Sequence, residues 1–236
     1  PPRSTLFPYT TLFRSFHACH LGAASVHGVD VIQKNIDKAQ TLAAHANLSN
    51  KPLFSTSSTD RLAYPDNSFD VILCFDVVEH IMNPSPIWRE WQRVLAPGGH
   101  ILIWWQPYYH PYGHHLMSYI PLPWAHVLFS RRTLANTCRR IFHLPDYLPR
   151  YWDVDAAGNK LPDREFRIEN LGGVNRLTIA DFEKQITEAG FRIDRREPHA
   201  MQGPWPIPAI SRLATKSSRL REYFTAYMIY DIVKPG

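Results

Sequence analysis

The chain has 236 residues, 44% hydrophobic and 13% aromatic, with a formal net charge of +5 and three cysteines. That length suits one globular domain with a sizeable core, and no apolar run reaches the roughly 20 residues that would span a bilayer. Cys19, Cys74 and Cys138 are far apart and lack metal spacing. Nothing resembles a secretory signal, so the expected setting is a reducing cytoplasm. Basic residues gather around Arg131-Arg132, Arg139-Arg140, Arg192, Arg196, Arg212 and Arg221. Acids are interspersed among them, so a solvated surface is expected and no nucleic-acid partner.

Residues 1–15, PPRSTLFPYTTLFRS, resemble a translated sequencing-adapter read. They are expected to lie outside the fold, with residues 16–236 forming a single domain. Residues 20–25 read as the end of a helix, and residues 25–29 as a strand closing on the acid Asp30. Ile32, Ile36, Ala39, Ala43 and Ala46 then recur at helical spacing. Residues 53–57 are the next strand. Tyr64-Pro65-Asp66-Asn67-Ser68 is turn chemistry, with Pro fixing φ and Asp and Asn bonding their own backbone. Phe69–Phe75 is a short apolar run, as expected for a strand covered on both faces. Ile87, Trp91, Val94 and Leu95 mark one face of a helix. Pro97-Gly98-Gly99 ends it, and residues 100–105 are another buried strand. Residues 106–173 are rich in Pro, aromatics and His and read as a cap inserted over the site. Residues 178–189 form an amphipathic helix with Thr178 as N-cap and Gly190 as stop. Residues 191–196 and 226–233 would be a closing strand pair, with a Pro-rich link and a basic helix between them.

Three motifs in this order carry a family resemblance. They are Leu62-Ala63-Tyr64-Pro65-Asp66-Asn67-Ser68-Phe69-Asp70, then Val77-Val78-Glu79-His80, then Val94-Leu95-Ala96-Pro97-Gly98-Gly99. Together they resemble the class I S-adenosylmethionine-dependent methyltransferases of the type 11 kind, well over residues 21–103 and weakly over 178–233. The resemblance implies a Rossmann-like α/β sheet of strand order 3-2-1-4-5-7-6 with the last strand antiparallel. It also implies S-adenosylmethionine as cofactor. In the family a first strand and a Gly-rich loop precede the residues matched here. No Gly-x-Gly pattern precedes Asp30. The expectation is a sheet lacking its first strand, with Phe69–Phe75 and residues 100–105 paired in parallel as its firmest part.

The resemblance places Asp30 on the cofactor ribose, where a strand-end carboxylate can accept two hydrogen bonds from the diol. The alternative is a cap for the following helix. Val31 and Ile32 would flank the adenine, and Ser58, Thr59 and Asp60 occupy the adenine-edge position after the next strand. Phe75 and Asp76 end the strand that lines the same crevice. Asp76, Glu79 and His80 stand at i, i+3 and i+4, one face of a helical turn. Two carboxylates and an imidazole there suit a divalent cation, and metal-dependent O-methyltransferases carry a similar pattern with a later His. The alternative is that they only line the pocket. His110, His114 and His115 are candidates for the base that takes the substrate proton, as is His80. His115 comes first because family members often show a His-Leu pair, here His115-Leu116. Trp104, Trp105, Tyr108, Tyr109, Tyr112, Tyr119 and Trp124 form an aromatic belt suited to an apolar or aromatic small molecule. The expected function is methyl transfer to an oxygen or nitrogen of a small molecule, with or without metal assistance. The rival is a non-catalytic binding fragment, because the Gly-rich loop is missing. A base N-methyltransferase would need an Asn-Pro-Pro-Tyr or Asp-Pro-Pro-Tyr motif, which the sequence lacks.

Overall fold

Phe69–Phe75 (β3) and Leu95–Trp105 (β4) pair in parallel, with Val71 opposite His100 and Phe75 opposite Trp104. Thr225–Val233 (β6) adds antiparallel to β4, and Arg192–Ala200 (β5) adds antiparallel to β6. The main sheet therefore runs β3-β4-β6-β5. His27–Asp30 (β1) and Leu53–Thr56 (β2) pair in parallel as a separate two-stranded sheet. The computed structural model describes residues 10–46, 52–58, 61–148, 154–155, 157–161 and 171–236. Among these, β1 and β3 share no ladder.

The helices are Thr10–His20 (α1), Gln33–His45 (α2), Ser85–Val94 (α3), Ala125–Leu128 (α4), Arg131–Phe142 (α5), Ile179–Glu188 (α6), Ile207–Ala214 (α7) and Arg221–Phe224 (α8). Alternation along β4 sends Leu95, Ile101, Ile103 and Trp105 to one fully buried face. α3 and α6 cover that face. Phe182 of α6 meets Trp88 at 5.8 Å, Trp105 at 5.2 Å and Tyr230 at 4.8 Å between ring centroids. The Trp88 indole N–H donates to Gln185 Oε1 at 3.0 Å, so burying it leaves no orphaned donor. α6 begins where the sequence predicts. The Thr178 hydroxyl accepts from Asp181 N at 3.0 Å, and the Glu222 carboxylate takes the Ile179 and Ala180 N–H groups at 2.9 and 3.0 Å. The cap has a small core of its own, in which Leu116, Tyr119, Leu134, Cys138 and Phe142 are buried together.

Three expectations need correction. Residues 10–15 belong to α1, and Ser15 is buried against the Gly28–Phe54 contact. No Pro or Gly interrupts Thr10–His20, so the run is free to be helical whatever its origin. Second, β3 is covered on one face only: Val71 and Leu73 are 49% and 41% exposed. Third, Pro97-Gly98-Gly99 is tied to the sheet. Gly98 N donates to Lys234 O at 2.9 Å and Lys234 N to Gly99 O at 3.0 Å. Gly98 takes φ +76°, where a side chain would be strained.

Arg93 closes the turn before β3. It donates to Glu90 Oε2 at 2.7 Å, Asp66 Oδ1 at 2.8 Å, Tyr64 O at 2.7 Å and Leu62 O at 2.9 Å. These bonds from Arg93 hold the Glu90 carboxyl down to about 2. The folded state thus binds this proton less readily than the unfolded chain, and the stabilisation is present at neutral pH and lost as pH falls towards 2. Glu90→Gln should lower the thermal midpoint at pH 7, and its deficit relative to the parent should shrink on acidification. A deficit independent of pH would remove the charge from the account. In the core, Phe182→Ala should cost about 3–5 kcal/mol in denaturant unfolding.

Candidate functional site

An open α/β sheet binds ligands at the carboxyl ends of its parallel strands. His27 starts β1 and Phe69 starts β3, and their rings touch at 5.6 Å. Asp30 ends β1 and Phe75 ends β3, with Asp76 directly after it, so each candidate stands at the carboxyl end of a strand. Asp30 Oδ1 accepts the Ile32 N–H at 2.8 Å and Oδ2 accepts from Asn35 Nδ2 at 3.0 Å. These bonds fix the approach to α2, whose N-cap residue is Ile32, and each oxygen keeps a lone pair for a hydroxyl. Val31 and Ile32 are exposed apolar side chains next to it. Ser58 closes its own loop, its hydroxyl reaching Arg61 O at 3.1 Å and accepting Arg61 N at 3.2 Å. Thr59 and Asp60 lie outside the described residues.

Asp76 takes φ +59°, a sparsely populated conformation for a non-glycine residue. The last rung of the sheet holds it, with Asp76 N donating to Trp104 O at 2.8 Å. The carbonyl of Phe75 belongs to the same trans peptide and points the opposite way, to the open edge of β3. Arg14 of α1 meets it there. Its guanidinium donates to Phe75 O and lies over the Phe75 ring, 5.3 Å from the centroid. Burial lowers the Arg14 pKa, and the nearby Cys74, Asp76 and Glu79 oppose that shift. Sequence reasoning missed Arg14 because it stands in the run set aside as adapter-like.

Val78–His80 is a short 3₁₀ turn, with Asp76 outside it. The i, i+3, i+4 spacing therefore does not gather three side chains on one α-helical face. Glu79 is buried with neither carboxyl oxygen hydrogen-bonded, and burial, followed by the Asp76 charge, pushes its pKa well up. His80 is exposed and its Nδ1 is 2.9 Å from Gly173 O. Among the described residues no group of three or more His, Cys, Asp or Glu is arranged to hold a metal ion. Asp76, Glu79 and His80 thus do not fit the expected divalent cation. Asn175, unnoticed in the sequence, fixes this turn. Its Nδ2 donates to Val78 O at 2.7 Å and Ile81 O at 2.9 Å, and its backbone N–H to Glu79 O at 2.7 Å.

The histidines divide by role. His114 is scaffolding: it is buried, its Nδ1 accepts Leu116 N at 2.9 Å and its Nε2 lies 3.4 Å from Leu122 O. His110 Nδ1 accepts Tyr112 N at 3.2 Å. His115 sits at φ +52° with its ring 5.1 Å from that of His80. Burial and the neighbouring His80 push the His115 pKa down to about 4, against the pull of Asp76. Burial and the other histidines take His110 to about 4 as well. A fourth member, His126 of α4, was not singled out in the sequence. Its ring lies 4.9 Å from Tyr108 and 5.2 Å from His114, both ring nitrogens are buried without a partner, and burial lowers its pKa to about 4. Glycine makes this loop possible. A Cβ on Gly113 would stand 2.0 Å from Tyr108 O, and one on Gly172 2.2 Å from His114 O. The aromatic belt does not assemble as one surface. Trp105 is core, Tyr119 stacks on Tyr147 in the cap, and only Tyr108 and Tyr109 gather at His126.

A methyltransferase domain family matches residues 12–103. The chain is 30% identical over 78 residues to the 27-O-demethylrifamycin SV methyltransferase of Amycolatopsis mediterranei, covering 33% of this chain and 29% of that protein. It is 38% identical over 76 residues to the ubiquinone biosynthesis O-methyltransferase of Bartonella tribocorum, covering 32% of this chain and 30% of that protein. The matches thus span about a third of these curated relatives. Among solved structures, YcgJ from Bacillus subtilis superposes with a TM-score of 0.55 at 14% identity, over 97% of this chain and 90% of that one. The [4+2]-cyclase SpnF superposes with a TM-score of 0.54 at 16% identity, over 93% of this chain and 69% of that one.

Buried neutral imidazoles predict a measurable signature. In an NMR titration the ring protons of His110, His115 and His126 should move with apparent midpoints well below 6.5, as a coupled set. The unfolded chain takes up these protons first, so stability should fall as pH drops from about 6.5 towards 4. Midpoints at or above 6.5 would place the rings in water and refute the packing described.

Proposed function

We propose, for a chain whose residues 12–103 match a methyltransferase domain family, that its activity is methyl transfer from S-adenosylmethionine to an oxygen or nitrogen of a small molecule. The observation that supports this reading is the strand-end carboxylate Asp30, with a lone pair free on each oxygen, together with a buried His115 within the electrostatic reach of Asp76. The cofactor supplies an electrophilic methyl group on a sulfonium. Asp30 would hold the ribose, with Val31 and Ile32 against the adenine. His115, kept neutral by burial, would accept the proton of the substrate hydroxyl or amine. The cap would exclude water and position the acceptor. An adenosine moiety fits the residues present. The methionine half would have to share the space beside Phe75 and Asp76 with the Arg14 guanidinium.

A second reading draws on Arg14 and on the fold's versatility. A cyclase shares this architecture, so the fold alone does not dictate methyl transfer. A binding module is the corresponding alternative here.

Isothermal titration with S-adenosylhomocysteine tests the site directly. The parent chain should bind weakly, and Arg14→Ala should tighten binding several-fold by clearing the methionine side. On that background Asp30→Ala should weaken binding by about 1.5–3 kcal/mol, the range for hydrogen bonds to a charged group. Tight binding by the parent, or indifference to both changes, would overturn the assignment.

A further inference from the structure

α7 is turned outward in an unusual sense. Trp205, Ile207, Ile210 and Leu213 are 84%, 40%, 52% and 72% exposed, while the helix buries Ser211 and Ala214. Three-residue spacing puts Ile207, Ile210 and Leu213 along one exposed stripe. The orientation is locked. Ser211 Oγ accepts the Met201 N–H at 2.8 Å and donates to Phe224 O at 2.6 Å. Rolling the stripe inward would break both bonds and orphan two backbone groups. α8 ties this unit to the cap, where Trp124 Nε1 donates to Tyr223 O at 3.1 Å. Just beyond Trp124, Leu128 and Phe129 of the cap are also exposed.

Charge follows the same segments. Residues 201–224 hold four Lys or Arg and one acid, and residues 117–145 hold four Arg and no acid. The rest of the chain carries 18 basic and 20 acidic residues, so the net positive charge belongs to these two stretches. Arg212, Lys216 and Arg219 are exposed on and after α7.

We propose that Trp205 and the exposed stripe of α7 are a docking surface for an anionic lipid bilayer. The apolar side chains would enter the headgroup boundary and the flanking cations would meet anionic headgroups. Tryptophan suits that boundary because its ring is apolar and its N–H polar. α7 rises only about 12 Å, so it lies on the surface and does not span. A second copy of the chain is the poorer occupant, since a twofold contact would bring Arg212, Lys216 and Arg219 against their own copies. This surface does not depend on the methyl-transfer reading.

Vesicle co-sedimentation decides the matter. The full chain should pellet with phosphatidylcholine vesicles containing phosphatidylglycerol and stay in solution with phosphatidylcholine alone. Added salt should release it. Trp205→Ser with Leu213→Ser should weaken binding at least tenfold, with an unchanged circular dichroism spectrum. Arg212→Ala, Lys216→Ala and Arg219→Ala together should do the same, at about fivefold per charge. Equal behaviour with both vesicle types, or binding untouched by both variant sets, would overturn the proposal. So would a dimer in ultracentrifugation that the Trp205→Ser, Leu213→Ser variant dissolves without any vesicle binding by the parent.

Discussion

One peptide group sets the terms of this structure. Between Phe75 and Asp76 the N–H completes the ladder to Trp104, so the carbonyl must face the other edge of β3. A buried edge carbonyl needs a donor. No strand is hydrogen-bonded to that edge among the described residues, and the donor is Arg14. Much else follows. α1 is drawn against the sheet by its guanidinium, and β1 is held to the rest of the molecule by side chains, His27 against Tyr64 and Phe69, and by no ladder. The cation that satisfies the carbonyl also comes to rest beside Asp76 and Glu79.

The electrostatics of the site are those of buried groups. Burial is the largest cause of each of these shifts: His110 and His115 fall, Glu79 rises, and Cys74 rises to about 12. Each shift favours the neutral form. Such groups exchange protons or donate hydrogen bonds without the cost of a buried charge. The 3₁₀ turn makes the difference between Glu79 and His80, sending one side chain inward and the other to solvent. Asn175 holds that turn from a segment nearly a hundred residues away, with partners at sequence separations of 97 and 94.

The sequence was most legible where periodicity and turn chemistry coincide. Phe69–Phe75 and the Thr178 cap follow from apolar runs and their punctuation, and the parallel pairing of β3 with β4 from the family resemblance. It was least legible where tertiary context decides. Nothing local in DVVEH says that the turn is 3₁₀, which keeps Glu79 beside Asp76 but sends His80 to solvent. Nothing local near Val71 and Leu73 says that one face stays open. Asn175 is a common loop residue whose importance lies in carbonyls distant in sequence. His126 could have been found, since it completes a run of cap histidines, but its partner His114 is brought to it only by the fold of the loop at Gly113.

The inverted helix α7 and the histidine cluster are physically continuous. Ser211 of α7 bonds Phe224 O, and the preceding residue, Tyr223, packs its ring 5.0 Å from Tyr109 while its carbonyl accepts the Trp124 indole N–H. Tyr109 in turn stacks over His126 at 6.4 Å. A short chain of contacts thus runs from the exposed stripe through α8 to the buried imidazoles. Ser211 stands at its outer end, a buried hydroxyl that keeps the stripe outward and sets where Phe224 and hence Tyr223 can lie. The same hydrogen bonds that expose an apolar face to solvent therefore also help to build the wall of the candidate site.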